Sequence, residues 1–352
     1  MLVQTAYIAG TSPAEYDQLL ADGWFRGTGI VYKSEIVCIH ESMYSVQHIR
    51  VGMAGFKRRR SHEKLFRRNE KKFTYCIADP QKDERREELY RGHMSRFLAF
   101  VHGGFAEMMR ANRHAADFET KELKVYDGDK LIAVSYFDVG EKSIASAMCL
   151  YDQEYSKYSL GIYTMLLEIE YGQERDMHYY YPGYILDQPS SFDYKLSLGN
   201  TEWMSEEMMW YRTEDLPVRK SKGSVFREKA AELQVLMTLR GIEVKYRIYP
   251  YFTLGHVTND DPDLLRLPFY LEFDENDVEM GASYDIENEV FVVFRLEEVE
   301  EITMTLSLHL SNDYKHGNSY DFRILRACNY QHLTSYFGEY EERGILDIHE
   351  HH

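Results

Sequence analysis

Two stretches of this 352-residue chain carry residue types whose spacing could do chemistry. The first begins at Ser159-Leu160-Gly161. Leu160, Tyr163, Leu166 and Leu167 follow at three- and four-residue spacing, which predicts the apolar face of a helix running to about Asp176. Ser159 is the expected N-cap. Gly161, in the first turn, leaves the backbone open to an approaching group. Free amides and the positive end of the helix dipole gather there, so this end suits an anion or an oxyanion. The second stretch, Phe56 to Lys72, is dense in Lys and Arg, including Lys57, Arg60, Arg67 and Arg68. The whole chain carries a formal net charge of −17, so a basic cluster within it predicts an anionic partner for that segment.

The elements that would position these residues can be read around them. Lys124-Val125-Tyr126 leads through Asp127-Gly128-Asp129, a tight-turn signal, into the strand Leu131 to Phe137. Ala145 to Tyr151 is a second strand, Asp152 to Tyr158 a loop, then the helix, then the strand His178 to Tyr181, ended or broken at Pro182-Gly183. Upstream, Ser12-Pro13-Ala14-Glu15 has the spacing of a capped helix start, and the helix stops at Asp22-Gly23. Residues 83 to 118 read as helical, interrupted at His102-Gly103-Gly104. Val225 to Arg240 reads as an amphipathic helix ended by Gly241. Residues 243–254, 268–273, 291–298 and 302–310 read as strands.

Composition excludes several classes. Hydrophobic content of 44% is that of an ordinary globular protein, and no apolar run reaches membrane-spanning length. Met1-Leu2-Val3-Gln4-Thr5 lacks the features of a signal peptide, so a cytoplasmic location is expected. Four scattered cysteines form no Cys-x-x-Cys pair, and His93, His102 and His114 fit no common ligand spacing, so no metal is expected. P-loop, nucleophile-elbow and His-Glu-x-x-His motifs are missing. Transfer of an activated acyl group to an amine needs none of these. It needs aligned reactants, an oxyanion stabiliser and a route for the amine proton.

The strand, loop, helix, strand order resembles the acyltransferase core of the GNAT superfamily. Ser159-Leu160-Gly161-Ile162-Tyr163 is similar to the Ser-Leu-Gly-x-Tyr element of the arginyl- and leucyl-tRNA–protein transferases. Tyr181-Pro182-Gly183-Tyr184-Ile185, then Pro189, then Tyr194-Lys195, resembles a second segment of that family. Phe56, Lys57, Arg60, Ser61, Arg67, Arg68 and Asn69 match its basic motif. Tyr158 stands where the family has Arg. The resemblance spans about residues 10 to 205. It implies an α+β fold with a mixed sheet flanked by helices, to which the strand-like runs after residue 243 add a β-rich C-terminal extension.

The expected divisions are an entry module at 1–55, a GNAT-like core at 56–217, and a C-terminal α+β domain at 218–352. The implied activity is N-end-rule aminoacyl transfer, arginine or else leucine, from aminoacyl-tRNA to the N-terminal amine of a protein beginning with Asp or Glu. Aminoacyl-tRNA would be a co-substrate, with no cofactor. The donor would lie on Ser159, Leu160, Gly161 and Tyr163, and the tRNA on Lys57, Arg60, Arg67 and Arg68. Asp152 would orient the amine, Tyr181 and Tyr184 would line the cleft, and Lys195 would meet the acceptor carboxylate or a phosphate. The alternatives are an acyl-CoA-dependent N-acyltransferase using acetyl-CoA, and an inactive transferase-like binding module.

Overall fold

The computed structural model describes residues 2–6, 10–26, 30–39, 41–96, 103–106, 118–215, 221–257, 262–299 and 323–342. In chain order the strands are β1 (Val3–Ala6), β2 (Phe25–Arg26), β3 (Val31–Ser34), β4 (Ile36–Ile39), β5 (Ser42–Gly52), β6 (Thr74–Ala78), β7 (Glu119–Asp127), β8 (Lys130–Val139), β9 (Ser143–Tyr151), β10 (Tyr179–Tyr181), β11 (Tyr184–Leu186), β12 (Thr201–Met204), β13 (Trp210–Arg212), β14 (Lys245–Ile248), β15 (Phe269–Glu275), β16 (Val278–Asp285), β17 (Val290–Glu298) and β18 (Leu325–His332). The α-helices are α1 (Pro13–Ala21), α2 (Arg60–Glu70), α3 (Glu84–His93), α4 (Leu160–Gln173), α5 (Lys222–Leu239), α6 (Phe252–Val257) and α7 (Leu333–Glu342).

Two compact units result. One holds Thr5–Lys33 and Val46–Val218, the other Met1–Gln4, Ser34–Ser45 and Arg219–His352. The entry module expected over 1–55 is therefore not a unit of its own. The chain enters both units before residue 46 because these short segments bury their apolar side chains in two different cores.

The larger unit is built on a mixed sheet of order β13-β12-β5-β10-β9-β8-β7-β6. Asp127-Gly128-Asp129 makes the predicted turn, and β7, β8 and β9 follow as an antiparallel meander. β10 returns beside β9 in parallel, which requires a crossover, and α4 supplies it. Leu160, Tyr163, Leu166, Leu167 and Ile169 of α4 pack with Leu123, Ile132, Phe137 and Ile144 of the sheet and Phe66 of α2. Each fully buried side chain of this kind contributes about 1.5–3 kcal/mol. Gly172 is required for this approach: a Cβ there would lie 2.6 Å from the Met53 sulfur and 3.0 Å from Ile144. Tyr16 and Leu20 of α1 pack with Ala145 and Tyr181 in a separate cluster. The Ser12–Glu15 capping box at the start of α1 is formed as its spacing predicts.

A buried ion pair ties α3 to this sheet. Arg86 is 2% exposed and Glu122 is fully buried. Arg86 Nη2 donates to Glu122 at 2.8 Å, and the Tyr136 hydroxyl donates to the same carboxylate at 2.7 Å.

The smaller unit holds a five-stranded antiparallel sheet in the order β14-β15-β16-β17-β18. Phe226, Leu233 and Met237 of α5 and Leu333, Tyr336 and Phe337 of α7 share its core. The β-rich character expected here is present, with one correction. Residues 252–257 are the helix α6, not the end of a strand, since β14 stops at Ile248 and the chain turns at Pro250 and Tyr251. The strand expected at 302–310, residues 107–113 of the helix expected after His102-Gly103-Gly104, and His102 and His114 lie outside the described residues, while Phe105 and Ala106 are helical. Among the described residues no helix is long and apolar enough to cross a membrane. None of their His, Cys, Asp and Glu side chains form a group of three that could hold a metal ion.

Candidate active site

The central geometric feature is a split between two parallel strands. β9 and β10 pair at Ser143–Tyr179, Ile144–Tyr180 and Ala145–Tyr181, and there the pairing ends. β9 continues beside β8 to Tyr151, whereas the chain after Tyr181 turns at Pro182-Gly183 and becomes β11, which pairs with β5. Gly183 sits at φ +93°, a conformation that favours glycine. Just past the last pair, β9 carries a bulge. Tyr136 faces Met148 and Phe137 faces Ser146, which leaves Ala147 without a partner in the β8–β9 register.

A cavity of about 230 Å³ opens at this split, lined among others by Arg26, His48, Ser146, Tyr181, Tyr184 and Lys195. Three residues singled out in the sequence (Tyr181, Tyr184 and Lys195) thus meet in one place. Lys195 lies on the 3-10 turn Asp193–Leu198 and is 8% exposed. Its Nζ donates to the Tyr184 carbonyl at 2.8 Å and lies 5.3 Å and 5.0 Å from the rings of Tyr184 and Phe192. A Cβ at Gly183 would stand 3.2 Å from that nitrogen. No carboxylate among the described residues pairs with Lys195, although acidic residues outnumber basic ones in the chain. Burial lowers its pKa to about 7.

The other cavity residues have distinct electrostatic states. His48 is 7% exposed and stacks on Phe25 at 4.6 Å. Burial, helped by the Lys33 charge, lowers its pKa to about 3, so its imidazole is neutral. Arg26 is engaged by Asp138 and donates to the Thr120 hydroxyl at 2.7 Å. Tyr181 packs on Ala145 and Tyr16, and burial raises its pKa to about 12 against the lowering effect of Arg50.

The remaining predicted residues divide by their surroundings. Asp152 is not brought to this cavity. It ends β9, caps the turn Gln153–Tyr158 through Glu154, and pairs with Arg85 at 2.8 Å and Lys130 at 2.9 Å. Burial raises its pKa, but the hydrogen bonds from Lys130 and Arg85 outweigh that and hold the carboxyl below its ordinary value. Those partners occupy the lone pairs that an incoming amine would need.

Ser159 precedes α4, as predicted, yet its side chain makes no cap hydrogen bond. It adopts the left-handed conformation at φ +52°, and its carbonyl accepts from Ile162 and Tyr163 at 3.1 Å and 3.0 Å. Leu160 and Tyr163 are fully buried. The Tyr163 ring lies 5.4 Å from that of Phe66, and among the described residues its hydroxyl has no hydrogen-bond partner. Gly161 faces open space, where a Cβ would meet nothing within 4 Å. Of the expected donor set, Ser159 and Gly161 are therefore accessible, and Leu160 and Tyr163 support them from the core.

The basic cluster folds as α2, next to this helix start. Lys57, Arg60, Arg67 and Arg68 are exposed. Arg67 pairs with Glu63 on its own helix, and the Arg68 guanidinium lies 5.4 Å from the Tyr158 ring. Lys72 and Lys157 approach the same ring at 5.1 Å and 5.4 Å, so cations surround the position where the family carries Arg. Fully buried Asn69 donates to the Tyr158 carbonyl at 2.9 Å. On the other side of α2, His62 Nε2 is 3.2 Å from the Ser197 hydroxyl, on the turn that carries Lys195. α2 therefore touches both the start of α4 and the Lys195 turn.

Sequence reasoning missed Arg26, His48, Ser146 and Glu168. The signal for Glu168 was present, since it follows Met165-Leu166-Leu167 and precedes Ile169 on the apolar part of α4. The others come from separate segments that only the tertiary fold brings together.

A parallel strand pair that splits above a crossover helix, beside a basic surface, is an arrangement that can bring an anionic donor and an amine together. Residues 61–205 match the family model described as arginine-tRNA-protein transferase, C terminus. The chain is 28% identical over 193 residues to an aspartate/glutamate leucyltransferase of Vibrio cholerae, covering 53% of this chain and 78% of that protein. It is 27% identical over 212 residues to the enzyme of the same name from Leptospira interrogans, covering 58% and 81%. The solved structure of L-PGS from Bacillus licheniformis aligns with 12% identity and a TM-score of 0.31, covering 42% of this chain and 48% of that one, a likeness too slight to define the fold. Residues 61–205, less than half of the chain, are thus similar to the arginyl/leucyl-tRNA–protein transferases, which are aminoacyltransferases.

Proposed function

We propose that this protein moves an amino acid from aminoacyl-tRNA to the N-terminal amine of proteins beginning with Asp or Glu, in the cytoplasm. Leucine is the favoured residue, because the relatives are leucyltransferases by name, and arginine is the second donor to test. The core is read as GNAT-type, a reading supported by the β9–β10 split and the crossover helix between those strands.

The observation that carries the proposal is the state of Lys195. A buried amine without a counter-ion among the described residues is costly, and it lines the cavity at the strand split. An acceptor carboxylate supplies the missing charge, raises the Lys195 pKa and draws in a proton. The exposed cations of α2 hold phosphates of the acceptor arm, and the open first turn of α4 receives the donor's terminal nucleotide.

The test presents purified protein with leucyl-tRNA, arginyl-tRNA and acetyl-CoA, each with peptides beginning with Asp, Glu, Asn or Ala. The expected outcome is transfer from a charged tRNA to the Asp and Glu peptides. Transfer from acetyl-CoA alone would establish the acyl-CoA reading. Binding of charged tRNA without transfer would make the protein a binding module.

A further inference from the structure

Behind the strand split lies a carboxyl group that none of the roles above uses. Glu168, on α4, is fully buried. The Ser135 hydroxyl of β8 donates to its Oε1, and the Tyr180 hydroxyl of β10 donates to its Oε2 at 2.7 Å. The Ser146 hydroxyl of β9 lies close enough to Glu168 to lower its pKa. Ser146 is also the first residue of β9 past the last paired position, Ala145, and it lines the cavity that holds Lys195.

The faces of the sheet make this placement informative. Ile144 and Tyr180 belong to the core under α4, whereas Ala145 and Tyr181 belong to the cluster with α1. Where β9 and β10 separate, the sheet stops being a barrier between those faces. Ser146 stands at that opening, with the cavity on one side and Glu168 on the other. Eight residues of helix separate Leu160 from Glu168, about 12 Å along α4.

We propose that Glu168 accepts, through the Ser146 hydroxyl, the proton that the acceptor's N-terminal ammonium must lose before it attacks. The inference rests on the transferase reading above. The ammonium gives one proton to Ser146 Oγ as the Ser146 hydroxyl proton passes to the Glu168 carboxylate. The amine nitrogen then attacks the ester carbonyl. A carbon–nitrogen bond forms, and the bond from the carbonyl carbon to the ribose oxygen breaks. The second amine proton goes to the leaving ribose oxygen, and Glu168 returns its proton to water after release. One proton is liberated per turnover, as amide formation from an ammonium and an ester requires.

The surroundings suit the task. Burial raises the Glu168 pKa to about 7, against the hydroxyl hydrogen bonds that lower it. The group thus accepts a proton near neutrality and gives it back. The groups facing it are Ser135 from β8, Ser146 and Cys149 from β9, Tyr180 from β10, and Tyr194 from the turn that carries Lys195. Thr164, one turn earlier on α4, bonds the Cys149 sulfur at 3.4 Å. None of these carries a positive charge, so nothing in this set holds Glu168 permanently ionised.

The experiment measures kcat/KM for an Asp-initiated peptide with saturating charged tRNA, in the wild type and in Glu168→Gln, from about pH 6 to pH 9. A free α-amine has a pKa of about 7.7–8.0, so at high pH it arrives deprotonated and needs no acceptor. The expected loss in Glu168→Gln is roughly 100-fold near pH 6.5 and less than about 5-fold near pH 9, with charged-tRNA affinity unchanged. An equal loss at both pH values, or no loss, overturns the proposal. If Glu168→Gln does not fold, Ser146→Ala, which leaves the carboxyl group in place, must show the same low-pH loss, and a wild-type profile there overturns it. A wild type that transfers nothing from any charged tRNA sinks the transferase reading and this inference together. A flat ratio in an active enzyme sinks only this inference.

Discussion

Asn69 Nδ2 donates to the Tyr158 carbonyl at 2.9 Å, and this bond joins the basic helix α2 to the chain two residues before the start of α4. Asn69 is fully buried, so the bond is shielded from water. Asn69→Leu would leave the Tyr158 carbonyl without this donor, at a cost of about 1–3 kcal/mol. Thermal denaturation should show the loss, and charged-tRNA affinity should fall with it. Undiminished tRNA affinity in a destabilised variant would separate the two helices functionally.

The cations of α2 make a second prediction. Arg60, Arg67 and Arg68 are exposed, and one of them, Arg67, pairs with Glu63 of the same helix. Replacing all three by Ala should leave the fold intact, weaken tRNA binding and flatten its dependence on salt, by a slope of about 0.7–0.9 for each phosphate no longer held. Binding that keeps its affinity and salt slope would make α2 a solvated face.

Gly161 separates packing from function cleanly. Because the space beside it is open and valine has a slightly better helix propensity than glycine, Gly161→Val should leave the melting temperature nearly unchanged. Donor binding should be lost, since the side chain projects where the terminal nucleotide enters. A valine variant that binds charged tRNA normally would remove this helix start from the donor site.

Much of this arrangement was legible because it is local. The turn at Asp127-Gly128-Asp129, the capping box at Ser12 and the helix after Ser159 each rest on contacts within a few residues. The hairpin of β12 and β13 was not legible. Its connecting residues, Ser205 to Met209, are acidic and Met-rich, and Met208 takes a positive φ that such a residue rarely signals. Asp152 was read from its place after a strand, but its neighbours Arg85 and Lys130 come from α3 and β8. Lys195 was found by motif, whereas its burial depends on Tyr184 and Phe192 folding over it. Nothing in a sequence period reports that.

The burial of Lys195 also makes stability depend on pH. Its folded pKa, lowered to about 7, lies below its unfolded value of 10.5. Between those values the unfolded chain binds the proton and the folded protein does not, so stability rises with pH across this window. Below about pH 7 the folded state must hold a buried charge, and the penalty is fully present. Lys195→Met should therefore be more stable than the wild type at low pH, on the order of 1–3 kcal/mol, with the gain vanishing above the unfolded pKa. Denaturant titrations of both proteins at several pH values measure this difference. A constant difference would place the Lys195 ammonium in water.

The same substitution gives the most direct test of the central claim, that Lys195 reads the acidic side chain of the acceptor. The measurement is kcat/KM for peptides that begin with Asp and with Asn, otherwise identical, in the wild type and in Lys195→Met. A charge-assisted pair contributes about 1.5–3 kcal/mol, so the wild type should prefer Asp by at least roughly tenfold. In Lys195→Met that preference should disappear, chiefly through a higher KM for the Asp peptide, with charged-tRNA affinity unchanged. A Lys195→Met enzyme that still prefers Asp as strongly as the wild type would contradict the account.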